Sequence, residues 1–254
     1  MDKTSQADLY RKRLKIYTDR LAMAVGREIN GTIRRAGVEF RKTGQLDDVA
    51  LRQAHQQRTA TILEGFYRRI AKTSVTDAFS LVEGKGISLK NNPGDAEAFI
   101  EQILRTFLLQ QGLKKAALIS ETTREDIIGA ILEGIKEGEG SAVIARRIGK
   151  VSGFTRNRAV TIAITETFAA HSHANYAAIE NTGNVFGLNR LKEWSPVIDA
   201  RTRSHHADMA SHPAIEMDKF FNVNGELMSR PHDPAGSADN VIRCRCVLVY
   251  DFQD

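Results

Sequence analysis

Cysteine is almost missing from this chain. Cys244 and Cys246 are the only two among 254 residues, and they stand one residue apart near the C-terminus. So few thiols exclude a disulfide scaffold and fit a reducing compartment, so the chain is expected to be made in a cytosol. Long apolar runs are lacking too. None approaches the ~20 residues that cross a bilayer, so no membrane contact is expected. The opening stretch MDKTSQADLYRKRLKIYTDR has no apolar core of the kind a secretory leader needs. Internal repeats and low-complexity tracts are also missing. What remains, 42% apolar and 26% charged, is the composition of a folded protein with a core.

The charge is unevenly placed. The first 72 residues hold sixteen Lys and Arg against eight Asp and Glu, while the rest holds twenty against twenty-three. The net charge of +5 therefore belongs to the front of the chain. A basic front beside a near-neutral body suits an anionic partner, although a solvated helix face has the same composition. Histidine is skewed the other way: only His55 is early, and His171, His173, His205, His206, His212 and His232 are late.

Apolar residues Leu9, Leu14, Tyr17, Leu21, Val25 and Ile29 recur at helical spacing and predict an amphipathic helix over about 6–35. A second helix is predicted over 47–82, a Gly/Asn/Pro-rich loop over 83–95 and a third helix over 95–118. Thr122 with Glu125 reads as a capping box opening a helix that stops at Gly138 or Gly140. A short helix follows from Ser141, then a long one from Thr155 to a stop at Gly183. Beyond it the texture changes, and NRLKEWSPV and VIRCRCVLVY read as strands. The connection over 222–240 is long for a compact domain, which suggests a functional loop or one pinned by something other than a core. The expected fold is mainly α with a small α+β C-terminal unit: a helical, basic region over 1–145, then a unit with a few short strands over 146–254.

On a strand Ile242, Cys244, Cys246 and Leu248 share one face, with Arg243, Arg245, Val247 and Val249 on the other. A disulfide between residues two apart in an extended chain is disfavoured by Cβ direction. The two thiols are then either small core fillers or metal ligands. For a metal, Cys244 and Cys246 with His206 and either His232 or Asp233 would complete a four-ligand zinc set. The stretch WSPVIDARTRSHHADM is dense in Asp, Arg and His, and suits either a polar structural cluster or an acid–base site. Glu166, on an otherwise apolar helix face, requires a partner if buried, with Arg201 or Arg203 as candidates.

Several of these residues occur in order: Trp194, Asp199-Ala200-Arg201-Thr202-Arg203 with His206, Pro231-His232-Asp233-Pro234, and Cys244-Arg245-Cys246, after a helix carrying Thr165-Glu166. In this series the chain resembles the phage head morphogenesis proteins with a Mu F-like domain, also called minor head or minor capsid proteins. The resemblance covers about 145–250, with Ile164 where that family often has Arg. It implies a non-enzymatic virion protein of a tailed bacteriophage, made in the host cytoplasm and placed inside the procapsid, with portal, scaffold or major capsid protein as partners and double-stranded DNA as a further one. The structural cluster would be Glu166, Trp194, Asp199, Arg201, Arg203, His206 and Asp233. A structural zinc would sit on His206, His232, Cys244 and Cys246. Phosphate contacts would come from Arg11, Lys12, Arg13, Arg34, Arg35, Arg68 and Arg69. The rival expectation is a metal-dependent nuclease or hydrolase built on the same C-terminal His, Asp and Cys residues.

Overall fold

The computed structural model describes residues 2–84, 93–107, 113–151 and 155–253. Six helices come first: α1 (Lys3–Thr43), α2 (Asp48–Glu83), α3 (Pro93–Phe107), α4 (Leu113–Lys136), α5 (Ser141–Lys150) and α6 (Thr155–Phe186). They are followed by β1 (Asn189–Ser195), α7 (Ser204–Ala207), β2 (Ile215–Glu216), β3 (Phe221–Val223), β4 (Glu226–Met228), α8 (Ala238–Val241) and β5 (Val247–Gln253). The chain is mainly helical with a few short antiparallel strands at its C-terminal end, as the sequence predicts. Two compact units are built from interleaved segments: Met1–Thr18, Phe66–Phe107 and Ile164–Asp254 in the first, Asp19–Gly65 and Leu108–Ala163 in the second.

α1 follows from its pattern. Ala7, Tyr10, Leu14, Leu21, Val25, Ile29, Ile33, Ala36 and Phe40 are buried at three- and four-residue steps, with Lys and Arg between them. At ~1.5 Å per residue the helix is about 60 Å long. Three sequence expectations for the helices need correction. Thr122 does not open a helix: it lies inside α4, and its hydroxyl donates to the Leu118 carbonyl at 3.0 Å. A Thr–x–x–Glu pattern caps only a free end, and the apolar positions upstream already continue this helix. The helix predicted over 95–118 falls on α3 and α4, and the residues between them, 108–112, lie outside the described set. The loop predicted over 83–95 lies largely outside it as well, at residues 85–92, and α3 already begins at Pro93.

The third correction concerns Gly183. It does not end α6, which runs on to Phe186 and stops where Gly187 takes φ +64°, the left-handed conformation common just past a helix end. Gly183 instead admits a neighbour. A Cβ there would lie 1.5 Å from the Arg190 guanidinium, which donates to the Glu180 carbonyl at 2.9 Å and to Asn184 Oδ1 at 3.0 Å. Those contacts fasten Arg190, the second residue of β1, against the C-terminal end of α6.

The first unit holds a three-stranded antiparallel sheet in the order β2-β1-β5, with Trp194 opposite Leu248 and Lys192 opposite Tyr250. Trp194, Val247, Leu248, Val249 and Tyr250 are buried. The expected strand over 241–250 is shorter than predicted. β5 begins only at Val247, and Cys244 and Cys246 lie in the segment between α8 and β5, so strand alternation does not set their direction. Within the connection over 222–240, Asn224 (φ +53°) and Gly225 (φ +84°) make the two-residue turn of the β3–β4 hairpin, with Asn222 Oδ1 accepting from the Gly225 amide at 2.9 Å.

Candidate functional site

The first unit gathers the late histidines, the two cysteines and most of the Asp–Arg cluster. Asp199 opens a turn that ties itself: its carboxylate accepts from the Arg201 amide at 2.9 Å and the Thr202 hydroxyl at 3.2 Å, and the Thr202 amide donates to the Asp199 carbonyl at 3.0 Å. The Thr202 hydroxyl also reaches the Val197 carbonyl. Asp and Thr at this spacing replace backbone hydrogen bonds that an open turn lacks. The guanidinium that closes on Asp199 is Arg245, through two contacts of 2.8 and 2.6 Å in the fork geometry that suits a carboxylate. This pair, with the Arg201 amide, holds the Asp199 carboxyl well below its usual range and raises the Arg245 guanidinium.

Arg203 does not pair with Glu166, the partner that the sequence offers it. It donates to the Ile242 carbonyl at 2.6 Å. Buried Glu166 instead accepts from Tyr67 at 2.7 Å, and burial with that carboxylate pushes the phenol well up. Asp233 accepts from the Ser229 amide at 2.7 Å and the Ala235 amide at 3.0 Å, beside Arg230 at 3.6 Å. Burial raises this carboxyl, but the hydrogen bonds from Ala235 and Ser229 outweigh it and leave a net lowering. Asp199 and Asp233 thus organise separate turns. Arg201 is exposed on the wall of the cleft described below.

The thiols face one imidazole. His206 Nδ1 lies 3.4 Å from Cys246 Sγ and 3.6 Å from Cys244 Sγ, and all three side chains are buried. These ligand-type atoms lie within 4.8 Å of one another. His206 comes from α7, held behind by Trp194 of β1 at 5.9 Å between ring centroids and an 82° edge-on angle. On its far side His206 Nε2 meets Asn240 Oδ1 at 3.2 Å. The Asn240 amide nitrogen donates to Glu226 Oε2 at 2.7 Å and the Val223 carbonyl at 3.2 Å, which orients its oxygen toward the ring. Nε2 therefore carries a proton, and Nδ1 faces the sulfurs.

The backbone around Cys244 is shaped with some strain. Arg243 (φ +58°) and His232 (φ +59°) both take the left-handed conformation, unusual for residues with a Cβ. The Arg243 amide donates to Thr165 Oγ1 at 3.1 Å. His232 is held 3.0 Å from the Cys244 carbonyl through Nε2 and stays outside the His206–Cys244–Cys246 group, against its expected place as fourth ligand. The Cys246 amide donates to Cys244 Sγ at 3.4 Å. That pair shares one proton unequally: hydrogen bonding from Cys244 brings Cys246 down to about 5, with His206 adding to it, while Cys244 is pushed up. A cleft of about 10 Å³, lined by His206, Cys244, Cys246, Val197, Thr202 and four arginines (201, 203, 243 and 245), leads to the sulfurs.

The basic residues expected to meet phosphate divide into two sets. Arg11 is turned inward onto Ser195 and the Pro196 carbonyl at 2.8–3.0 Å, and Arg13 pairs with Asp77. Arg35 is engaged by Glu28 at 2.9 Å and Arg68 by Glu101. Lys12 and Arg34 are exposed, as is Arg69 beside the Phe66 ring. Sequence reasoning missed Asn240, whose role depends on contacts with β3 and β4. It also missed Lys192, a lysine on the buried face of β1 that donates to the Met217 and Ser229 carbonyls at 2.9 and 2.8 Å, with burial bringing its ammonium to about 8. Its place two residues before Trp194, on the same strand face, was the one available signal.

Residues 125–249 match the family model described as Phage Mu protein F like protein. Over 126 residues the chain is 29% identical to Minor head protein GP7 of Bacillus phage SPP1, covering 49% of this chain and 40% of that protein. Over 125 residues it is 27% identical to NAD(+)--arginine ADP-ribosyltransferase EFV of Enterococcus faecalis (strain ATCC 700802 / V583), covering 49% and 25%. Over 139 residues it is 29% identical to the uncharacterized protein YqbB of Bacillus subtilis (strain 168), covering 53% and 44%. The matched stretches span less than half the length of each of these relatives. No solved structure matches the chain.

Proposed function

We propose, from the match of residues 125–249 to the Phage Mu protein F like model and the likeness to a protein named as a minor head protein, that the chain is a minor head protein acting in procapsid assembly. The observation that carries the reading is the match over 125–249 together with the likeness to a protein named as a minor head protein. The clustering supports it: the matched D-x-R-T-R, P-x-D-P and C-R-C motifs serve mainly to tie turns to one another, as a rigid assembly module requires. In this reading the chain sits in the interior of the virion, contacts the portal or scaffold, and turns over no substrate. Double-stranded DNA is a secondary partner, met through the exposed Lys12, Arg34 and Arg69. The test is a phage carrying a nonsense codon in this gene. Purified procapsids from the permissive host are expected to contain the chain and to yield it in a crosslink with the portal; procapsids that lack it would refute the assembly role.

A second reading, a metal-dependent hydrolase, has one observation in its favour: the His206–Cys244–Cys246 group opens on a cleft, and catalytic metal sites keep such a position. The cleft accommodates about one water rather than a substrate, and Asp199, the nearby carboxylate, is clamped by Arg245. Plasmid nicking in the presence of divalent metal, lost in His206→Ala, would establish the hydrolase. The relative named as an ADP-ribosyltransferase suggests a parallel assay of arginine modification from NAD+, for which no turnover is expected.

A further inference from the structure

We propose that His206, Cys244 and Cys246 bind one zinc ion, whose fourth coordination position opens into the arginine-ringed cleft and takes water or a small anion. The inference does not depend on the assembly role. Three observations carry it.

The spacing is the first. Zinc bonds of ~2.3 Å to sulfur and ~2.0–2.1 Å to nitrogen at a tetrahedral angle place the nitrogen about 3.6 Å from each sulfur. The observed Nδ1–Sγ separations are 3.4 and 3.6 Å. Both sulfurs therefore stand where a single metal could take all three atoms with little movement.

The aim of the imidazole is the second. Asn240 fixes the proton on Nε2 and is itself fixed by Glu226 and Val223. An outer hydrogen bond of this kind orients a metal-ligating histidine and sets its tautomer. The alternative is a plain hydrogen-bonded thiol cluster, and it explains only half the geometry. One lone pair accepts well from one S–H, so a second sulfur at 3.6 Å on the same nitrogen gains nothing from it. A metal uses both.

Charge around the cleft is the third. Two thiolates neutralise Zn2+, which leaves Arg201, Arg203, Arg243 and Arg245 at the opening against the single carboxylate of Asp199. Among the described residues the group supplies three ligands, not four. The remaining position faces this positive rim, so a monatomic or water-sized anion such as chloride or hydroxide suits it better than another cation.

The test uses the full chain, purified under reducing conditions without chelator. Elemental analysis is expected to give about one zinc per chain. Exchange with Co2+ should produce the thiolate-to-cobalt charge-transfer band and the intense visible bands of a tetrahedral site. Cys246→Ser and His206→Gln should each lower Co2+ affinity by more than the ~10–100-fold expected for Asn240→Ala, which removes only the orienting hydrogen bond. Titrating chloride into the cobalt form should shift its visible bands. Wild type that retains normal helical circular dichroism, contains no zinc and gives no tetrahedral cobalt spectrum would overturn the site. A cobalt spectrum indifferent to chloride and to hydroxide at raised pH would overturn the open position. Because the wild-type protein alone gives these readouts, a variant that fails to fold leaves the proposal testable.

Discussion

At the scale of single residues, the polar groups of this protein act mainly by holding others in place. Tyr67 donates to the buried Glu166 carboxylate at 2.7 Å, a hydrogen bond of the charge-assisted kind. Tyr67→Phe is expected to cost about 1.5–3 kcal/mol, read from urea denaturation. The histidines set a pH dependence. Burial depresses His55 to about 4, His171 to about 3 and His173 to about 4, the last also through Arg230. Groups depressed in this way bind protons more readily unfolded. Their contribution is whole above about pH 6.5 and is lost as pH falls through the window down to about 3–4. Thermal melts should therefore fall steeply from pH 6.5 to 4. His55 is the cleanest probe, because both of its ring nitrogens are buried without a hydrogen-bond partner among the described residues. His55→Leu should keep or raise stability at pH 7 and flatten the acid slope; an unchanged slope would show that this ring does not contribute.

At the scale of elements, two glycines decide where the chain turns. Gly225 takes φ +84° in the β3–β4 hairpin, so Gly225→Ala should destabilise by about 1 kcal/mol. Gly183 is helical and needs no special backbone; its role is to leave room for Arg190. Gly183→Ala should displace the guanidinium and release the Glu180 and Asn184 contacts, a loss on the order of 1 kcal/mol. The same substitution made in an Arg190→Ala background should cost almost nothing, and a thermal-melt double-mutant cycle measures the difference. The Asn224-Gly225 pair is a strong hairpin signal in sequence, yet the long, polar connection around it reads as a loop. Its two strands have three residues each, too few for alternation to be visible.

At the scale of the whole chain, part of the basic surplus of the first 72 residues is engaged within the fold. Arg11, Arg13, Arg35 and Arg68 have internal partners, while Lys12, Arg20, Arg34, Arg41, Lys42, Arg69 and Lys72 are exposed toward an outside anion. Should duplex DNA be bound through Lys12, Arg34 and Arg69, log affinity against log salt should have a slope of only about −3, at ~0.9 per phosphate contact. Replacing all three with Ala should remove the binding in a filter or gel-shift titration. A much steeper slope would mean that further exposed cations, such as Arg20, Arg41, Lys42 and Lys72, also meet phosphates. Among the described residues no helix is long and apolar enough to cross a membrane, in keeping with the composition.

The sequence by itself determined the helical front, the buried stripe of α1, the change of texture after α6 and the motif order that marks the family, because all of these are periodic or local. Helix ends were less legible: the Thr122 box and the Gly183 stop are genuine local signals that a continuing helix overrode through packing along its length. Only the tertiary structure decided the partners. That Arg245 and not Arg203 clamps Asp199, that Tyr67 meets Glu166, and that Asn240 turns His206 toward two sulfurs all depend on segments far apart in the chain. A residue's type limits what it can bond, but only the folded backbone sets which complementary group stands within 3 Å of it.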